Sequence, residues 1–197
     1  MHDASKAVKG LVGSSPTAPR RIVVIGRAGA GKTTAALALG QAFGLPVVHL
    51  DRFAWSPGWT PVDAATFEEA QAAAVAGERW VIDGGYLRSA GWPARVARAD
   101  VVVLVEAPLI VCLWRIARRV RARPRVRRPD LPDGCDEVLT PSFVGWTLLW
   151  SLRTRRQRHA LGRGSGEGPV PVRIMRGEDA VALVGAATEG PPDAHLP

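Results

Sequence analysis

Five short apolar runs recur along the chain, at about 21–26, 47–50, 80–82, 100–105 and 172–175. They are rich in β-branched residues and lack the polar alternation of a half-exposed strand. Each therefore reads as a strand buried on both faces. Between them the apolar spacing becomes helical. Residues 32–43 are Ala/Leu-rich, and Gly44 stands where a C-cap would end that helix. Asp63 is placed to cap a helix over 64–77, with Phe67, Ala70 and Ala74 on one face. A short helix is expected at 92–98. Pro108 opens another to about Val120. Thr140-Pro141 looks like a cap and first turn, after which Phe143, Trp146 and Trp150 recur at helical spacing toward Arg158. Glu178 to Ala187 reads as a last helix. The alternation predicts an α/β fold, a five-stranded parallel sheet with right-handed crossovers and helices on both faces. Ligands of such sheets bind beyond the carboxyl ends of the strands. Asp51, Asp83 and Glu106 each end a predicted strand there.

Gly26-Arg27-Ala28-Gly29-Ala30-Gly31-Lys32-Thr33 lies between the first strand and the first helix. It has the pattern G-x-x-x-x-G-K-T of a phosphate-binding loop. Glycines let backbone N–H groups turn inward around phosphate oxygens, and the helix N-terminus adds positive dipole. At average residue frequencies a chance match arises in roughly one chain in a hundred of this length. The strand before and the helix after lower that further. Gly26, Gly29, Ala30, Gly31, Lys32, Thr33 and Thr34 are accordingly the candidate nucleotide-binding positions. Lys32 is expected to reach the β- and γ-phosphates of ATP, and the Thr33 hydroxyl to ligate Mg²⁺.

The length, 197 residues, suits one domain with a sizeable core. Residues 1–20 read as a disordered leader, 21–187 as the domain, and 188–197 as a tail. Gly162 to Pro169 is a connector, and no internal repeat is evident. Cys112 and Cys135 make no disulfide framework; Cys112 sits in an apolar run as a packing residue, Cys135 in a polar loop. No secretory signal is visible, and the longest apolar stretch, Val101 to Trp114, is broken by Glu106 and Pro108. These features lead to the expectation of a soluble cytoplasmic protein.

Charge changes the picture in one place. Residues 115–163 hold thirteen arginines against four acids, a balance of +9, while the remainder holds 13 basic and 14 acidic residues, or −1. The whole net charge of +8 thus comes from one segment, which implies an anionic partner, a phosphorylated small molecule or nucleic acid. Lysine is rare, and Lys32 is the only one outside the first twenty residues.

Several further stretches carry a resemblance when taken in order. They are His49-Leu50-Asp51 with Trp55-Ser56-Pro57-Gly58-Trp59, Trp80 to Tyr86, Asp100 to Pro108, and Arg128-Pro129-Asp130 followed by Gly134-Cys135. Together with the phosphate loop they resemble the nucleoside-monophosphate-kinase-like branch of P-loop kinases, which includes the adenylate and shikimate kinases. Within it the chain looks most like the small bacterial proteins labelled DNA topology modulation protein. The resemblance covers about 20–160. It implies a P-loop NTPase fold with an arginine-rich lid at about 115–140, where Arg115, Arg119, Arg123 and Arg128 are candidates to clamp phosphate. Arg119 and Arg128 are assigned to catalysis and Arg115 to the nucleotide. Asp51 aligns with the acid that contacts an acceptor hydroxyl, a catalytic position beside Lys32. Asp83 aligns with an acid that holds Mg²⁺ through water. Strand-end caps or an Asp-Gly turn explain the same two acids without chemistry.

Other positions stay open. Trp55 and Trp59 either wall the acceptor pocket or plug their loop onto the sheet. His49 reads as a core or edge histidine. Arg88 stands where relatives carry an acceptor-phosphate arginine, but Gly85-Tyr86-Leu87 departs from their pattern, which puts AMP in doubt as acceptor. Arg176-Gly177 is placed to flank the adenine. The leading expectation is a kinase that transfers the ATP γ-phosphoryl to a small acceptor. The alternative is a nucleotide-binding regulator that contacts nucleic acid through its basic segment. No helix-turn-helix, zinc or strand-stacking motif supports the second.

Overall fold

The computed structural model describes residues 18–122, 130–135, 139–154, 156 and 172–176, the last stretch as backbone. Arg123, Arg128, residues 1–17 of the expected leader, the tail, the connector and the last helix lie outside the described residues.

The first strand, β1 (Arg21–Gly26), leads through the phosphate loop into α1 (Lys32–Phe43). Then come β2 (Val47–His49), a single helical turn α2 (Asp51–Ala54), and a small hairpin of β3 (Trp55–Ser56) and β4 (Thr60–Pro61). They are followed by α3 (Ala64–Ala76), β5 (Trp80–Asp83), α4 (Trp92–Arg98), β6 (Val101–Glu106), α5 (Leu109–Arg121), α6 (Pro141–Arg153) and β7 (Val172–Arg176). The main sheet has the order β2-β5-β1-β6-β7. All four of its pairings are parallel. β1 lies in the middle, with Val24 level with Asp83 of β5 and Gly26 level with Val105 of β6. Its carboxyl end therefore opens between two neighbours at the place where such sheets bind ligands.

β1, β5 and β6 are buried on both faces, and their residues alternate between two cores. Ile22, Val24, Val81, Val101, Val103 and Val105 meet Ala35, Leu39 and Cys112 on one face. Val23, Ile25, Ile82, Val102 and Leu104 meet Val75, Trp92 and Trp150 on the other. Truncating one of the fully buried aliphatics to alanine costs about 2–5 kcal/mol. The aromatic face of α6 divides: Trp150 is buried in the second core, whereas Trp146 is exposed and stacks on Phe143. Thr140 caps α6 by accepting from the Phe143 N–H, and Asp63 caps α3 by accepting from that of Thr66. α6 is continuous to Arg153, and Arg155, Gln157 and Arg158 of its expected extension lie outside the described residues. Among the described residues no helix is long and apolar enough to cross a membrane.

Candidate active site

The phosphate loop is shaped by its backbone. Gly26, Gly29 and Gly31 all have positive φ. A Cβ on Gly26 would run into the Val105 carbonyl oxygen, and one on Gly29 into that of Cys112. Only glycine lets the loop pass this close to β6 and α5. Gly31 is the N-cap of α1, and no side chain caps that helix and no acid lies in its first turn. The first N–H groups of α1 are thus left for an external anion. Lys32 folds back so that its Nζ donates to the Arg27 carbonyl at 3.2 Å. Arg27 in turn donates to Ser151 of α6. Ala30 is buried and Thr34 exposed. Arg115 reaches over from α5, with Nη1 donating to the Ala30 carbonyl at 3.2 Å and lying 3.5 Å from that of Gly29. Arg119, one turn further on, is exposed.

Acidic groups gather beside Thr33. Its Oγ1 lies 2.9 Å from Asp83 Oδ2 and 3.1 Å from Asp130 Oδ2. A hydroxyl has one proton to share between those two carboxylates. Asp83 Oδ2 also lies 3.0 Å from His49 Nδ1, so His49, buried on the edge strand β2 as expected, also touches Asp83. Among the described residues Asp83 Oδ1, which is buried, has no hydrogen-bond partner. Asp130, only 2 % exposed, comes from the segment just past the arginine-rich stretch. That segment is docked: Cys135 Sγ donates to the Ser56 carbonyl, and the Gly58 N–H to that of Gly134. Cys135 is therefore buried and not part of an open polar loop.

Asp51 opens α2 and does not end β2. The residue is half-buried. Burial pushes the Asp51 pKa up, and neighbouring Asp83 and Asp130 add to the rise. A hydrogen bond from Tyr86 and the charge of Lys32 oppose it. The Tyr86 hydroxyl donates to Asp51 Oδ1 at 2.6 Å and accepts from Trp55 Nε1 at 3.1 Å. Burial, then the Asp51 charge, drives the Tyr86 phenol well above its usual range. Trp59 packs edge-on against Trp55, with centroids 5.5 Å apart. Trp55 thus belongs to the Asp51 network as well as to the hairpin. Arg88 and Glu106 are exposed.

The structure brings together Lys32, Thr33, Asp83 and Arg115 at the loop, with Asp51 close by. Tyr86, His49 and Asp130 had been given no role. Tyr86 and Asp130 entered only as members of stretches that carry the resemblance, Tyr86 also as part of a departure from the monophosphate-kinase pattern.

No protein-family model matches the sequence, and no curated protein matches it. Solved structures do. A shikimate kinase from Acinetobacter baumannii in complex with shikimate has a TM-score of 0.50 at 17% identity, over 94% of this chain and 96% of that one. A deoxyadenosine kinase from M. mycoides with bound dATP has a TM-score of 0.51 at 12% identity, over 86% of this chain and 97% of that one. The fold is that of the P-loop kinases. At these identities the likeness concerns the fold alone, and the narrower resemblance to the topology modulation group rests on the sequence motifs.

P-loop kinase folds imply Mg²⁺, and the residues present fit it. Thr33 offers a hydroxyl, and Asp83 offers a buried carboxylate oxygen that has no partner among the described residues, an arrangement that costs energy until a cation or donor meets it. Among the described residues no group of three or more His, Cys, Asp or Glu side chains could hold a metal alone.

Proposed function

We propose that this protein is a Mg²⁺-dependent kinase that transfers the γ-phosphoryl of ATP to a hydroxyl of a small acceptor held at Asp51. One observation supports the reading above the others. Lys32 of the phosphate loop is near enough to Asp51 to favour its charged form, while Thr33 of the same loop touches Asp83. The loop proposed to hold the donor thus neighbours the carboxylate proposed to hold the acceptor.

The roles follow from the chemistry. The loop amides and the open end of α1 hold the β- and γ-phosphates. Lys32 and Arg115 offset charge on the transferring group, with Arg119 and Arg128 as further donors from the lid. Mg²⁺, when bound through Thr33 and Asp83, neutralises phosphate oxygens. Asp51 accepts the acceptor's hydroxyl proton as the new O–P bond forms and the bond from the γ-phosphorus to the bridging oxygen breaks, releasing ADP. A carboxylate whose pKa is raised is a better base for this step. The cluster of Asp51, Asp83 and Asp130 opposes an anionic reacting oxygen, which favours a neutral alcohol over the phosphate of a nucleoside monophosphate. The alternative regulator reading gains no specific support from the described residues.

Measuring ADP release from Mg·ATP tests the reading, with hydroxyl-bearing metabolites and nucleoside monophosphates added in separate pools. Stimulation by the first pool is expected. Stimulation by nucleoside monophosphates alone would contradict it.

A further inference from the structure

Arg95 is a buried guanidinium. It is 0% exposed, and among the described residues no carboxylate pairs with it. Burial lowers its pKa to about 10, so it remains charged at neutral pH. It lies over the Trp92 ring at 5.1 Å. Its N–H groups go to three successive carbonyls: Nη1 to Gly84 at 3.1 Å, and Nη2 to Gly85 at 3.3 Å and Tyr86 at 3.0 Å. Ser89 Oγ, 3.5 Å from Nη2, closes the ring by donating to the Tyr86 carbonyl at 2.8 Å. A planar fork of donors fits several oxygens at fixed angles, which a lysine ammonium does not.

The clamped backbone is unusual. Gly84 has φ +149° and Tyr86 φ +32°, a left-handed conformation that few side-chain-bearing residues adopt. That conformation delivers the Tyr86 hydroxyl to Asp51 Oδ1 at 2.6 Å, the short distance of a bond to an ionised carboxylate. Phe67 braces the ring edge-on, with centroids 4.8 Å apart. Tyr86 thereby engages one oxygen of Asp51, and among the described residues Oδ2 accepts no hydrogen bond.

We propose that Arg95 is a positioning residue for phosphoryl transfer: by gripping the carbonyls of 84–86 it sets Tyr86 against Asp51 Oδ1 and leaves Oδ2 to the acceptor hydroxyl. The proposal rests on the kinase reading for its purpose, but the linkage from Arg95 through Tyr86 to Asp51 is testable without it. The groups that bear on Asp51 are Lys32 from α1, Asp83 from β5, Asp130 from the docked segment, and Tyr86.

Tyr86 is the only tyrosine in the chain, so tyrosinate absorbance reports it alone. The experiment is an alkaline titration of full-length wild type, Arg95→Met and Arg95→Lys, with circular dichroism marking where each unfolds. In wild type the phenol should stay protonated until unfolding. In Arg95→Met it should ionise in the folded state, near the ordinary phenol value of about 10. The sign discriminates. The Arg95 charge favours the phenolate, so removing charge alone would raise the Tyr86 pKa, whereas releasing the tyrosine lowers it. A folded Arg95→Met in which Tyr86 stays protonated would overturn the proposal. If Arg95→Met does not fold, Arg95→Lys decides by the same criterion, since one ammonium does not span three carbonyls. A second arm reads ADP release from Mg·ATP across pH. Arg95→Met and Tyr86→Phe should each lower turnover by about tenfold or more and move its acid limb upward, with ATP half-saturation within about twofold of wild type. An equal loss of ATP affinity, or an unmoved limb, would mark Arg95 as structural only. Absence of ADP release from wild type would count against the kinase reading and leave the titration to judge the linkage.

Discussion

The phosphate loop and the Asp51 region meet at the carboxyl edge of the sheet, and they are built differently. The loop holds its shape with backbone: three glycines at positive φ, a lysine tied to a carbonyl, and a helix whose first turn has no capping side chain. The Asp51 region holds its shape with side chains from four places in the chain, Asp51, Trp55, Tyr86 and Arg95, joined by hydrogen bonds. A backbone device needs a contiguous motif. A side-chain network needs only that the fold bring its members together. The first should tolerate little change in conformation. The second should tolerate changes that keep its hydrogen bonds.

The largest effect expected is on the loop. Lys32→Ala should lower ATP turnover by about a hundredfold or more, as loss of a transition-state charge partner does, with an unchanged circular dichroism spectrum. Normal turnover by the folded variant would remove the loop from the chemistry. Next come two glycines that separate close approach from backbone strain. Gly29→Ala meets the Cys112 carbonyl as well as a positive φ, and should destabilise by about 2–4 kcal/mol in urea unfolding. Gly58 has φ +75° but open space around it, so Gly58→Ala should cost only about 1 kcal/mol. Equal costs would mean that the loop is not held by packing against α5.

Asp51→Asn sharpens the comparison from the other region. Burial holds the folded-state pKa of Asp51 above its unfolded value of about 3.9. Its ionised form therefore weighs against folding above the raised pKa, and the penalty disappears as pH falls below the unfolded one. Asn removes the charge and can still accept from Tyr86. The variant should melt above wild type at about pH 8, with the gap closing toward about pH 4. A gap that widens with acid would place the carboxylate in a different setting. The smallest effect is expected far from either region. Arg98 and Glu78 pair at the surface, with side chains 38% and 74% exposed. Glu78→Gln should change stability by no more than about 0.5 kcal/mol and leave turnover unaffected.

The two regions also differed in how far they could be read before the structure. Gly26 to Thr33 are adjacent in the chain, so their pattern and its flanking strand and helix were visible together. Asp83 was visible because a buried run ends there. Asp51 was placed by resemblance, although it opens a helical turn and does not close a strand. His49 was read only as a core or edge residue, and Tyr86, Arg95 and Asp130 were given no chemical role, because nothing local marks one. Arg95 sits among many arginines, and its burial depends on Trp92 and the 84–86 turn. Asp130 reaches Thr33 only because Cys135 and Gly134 dock on the loop at 56–58. The strand order was likewise unreadable, since it depends on which side of β1 each crossover returns to.

The most direct test follows labelled γ-phosphate from ATP into a pool of small hydroxyl-bearing metabolites, with wild type and Asp51→Asn side by side and ATP binding measured on both. The account predicts a labelled phosphoester from wild type and about a hundredfold less from Asp51→Asn, at ATP affinities within about twofold of each other. Equal labelling by the two proteins, or ATP binding by wild type with no transfer to any compound in the pool, would contradict it.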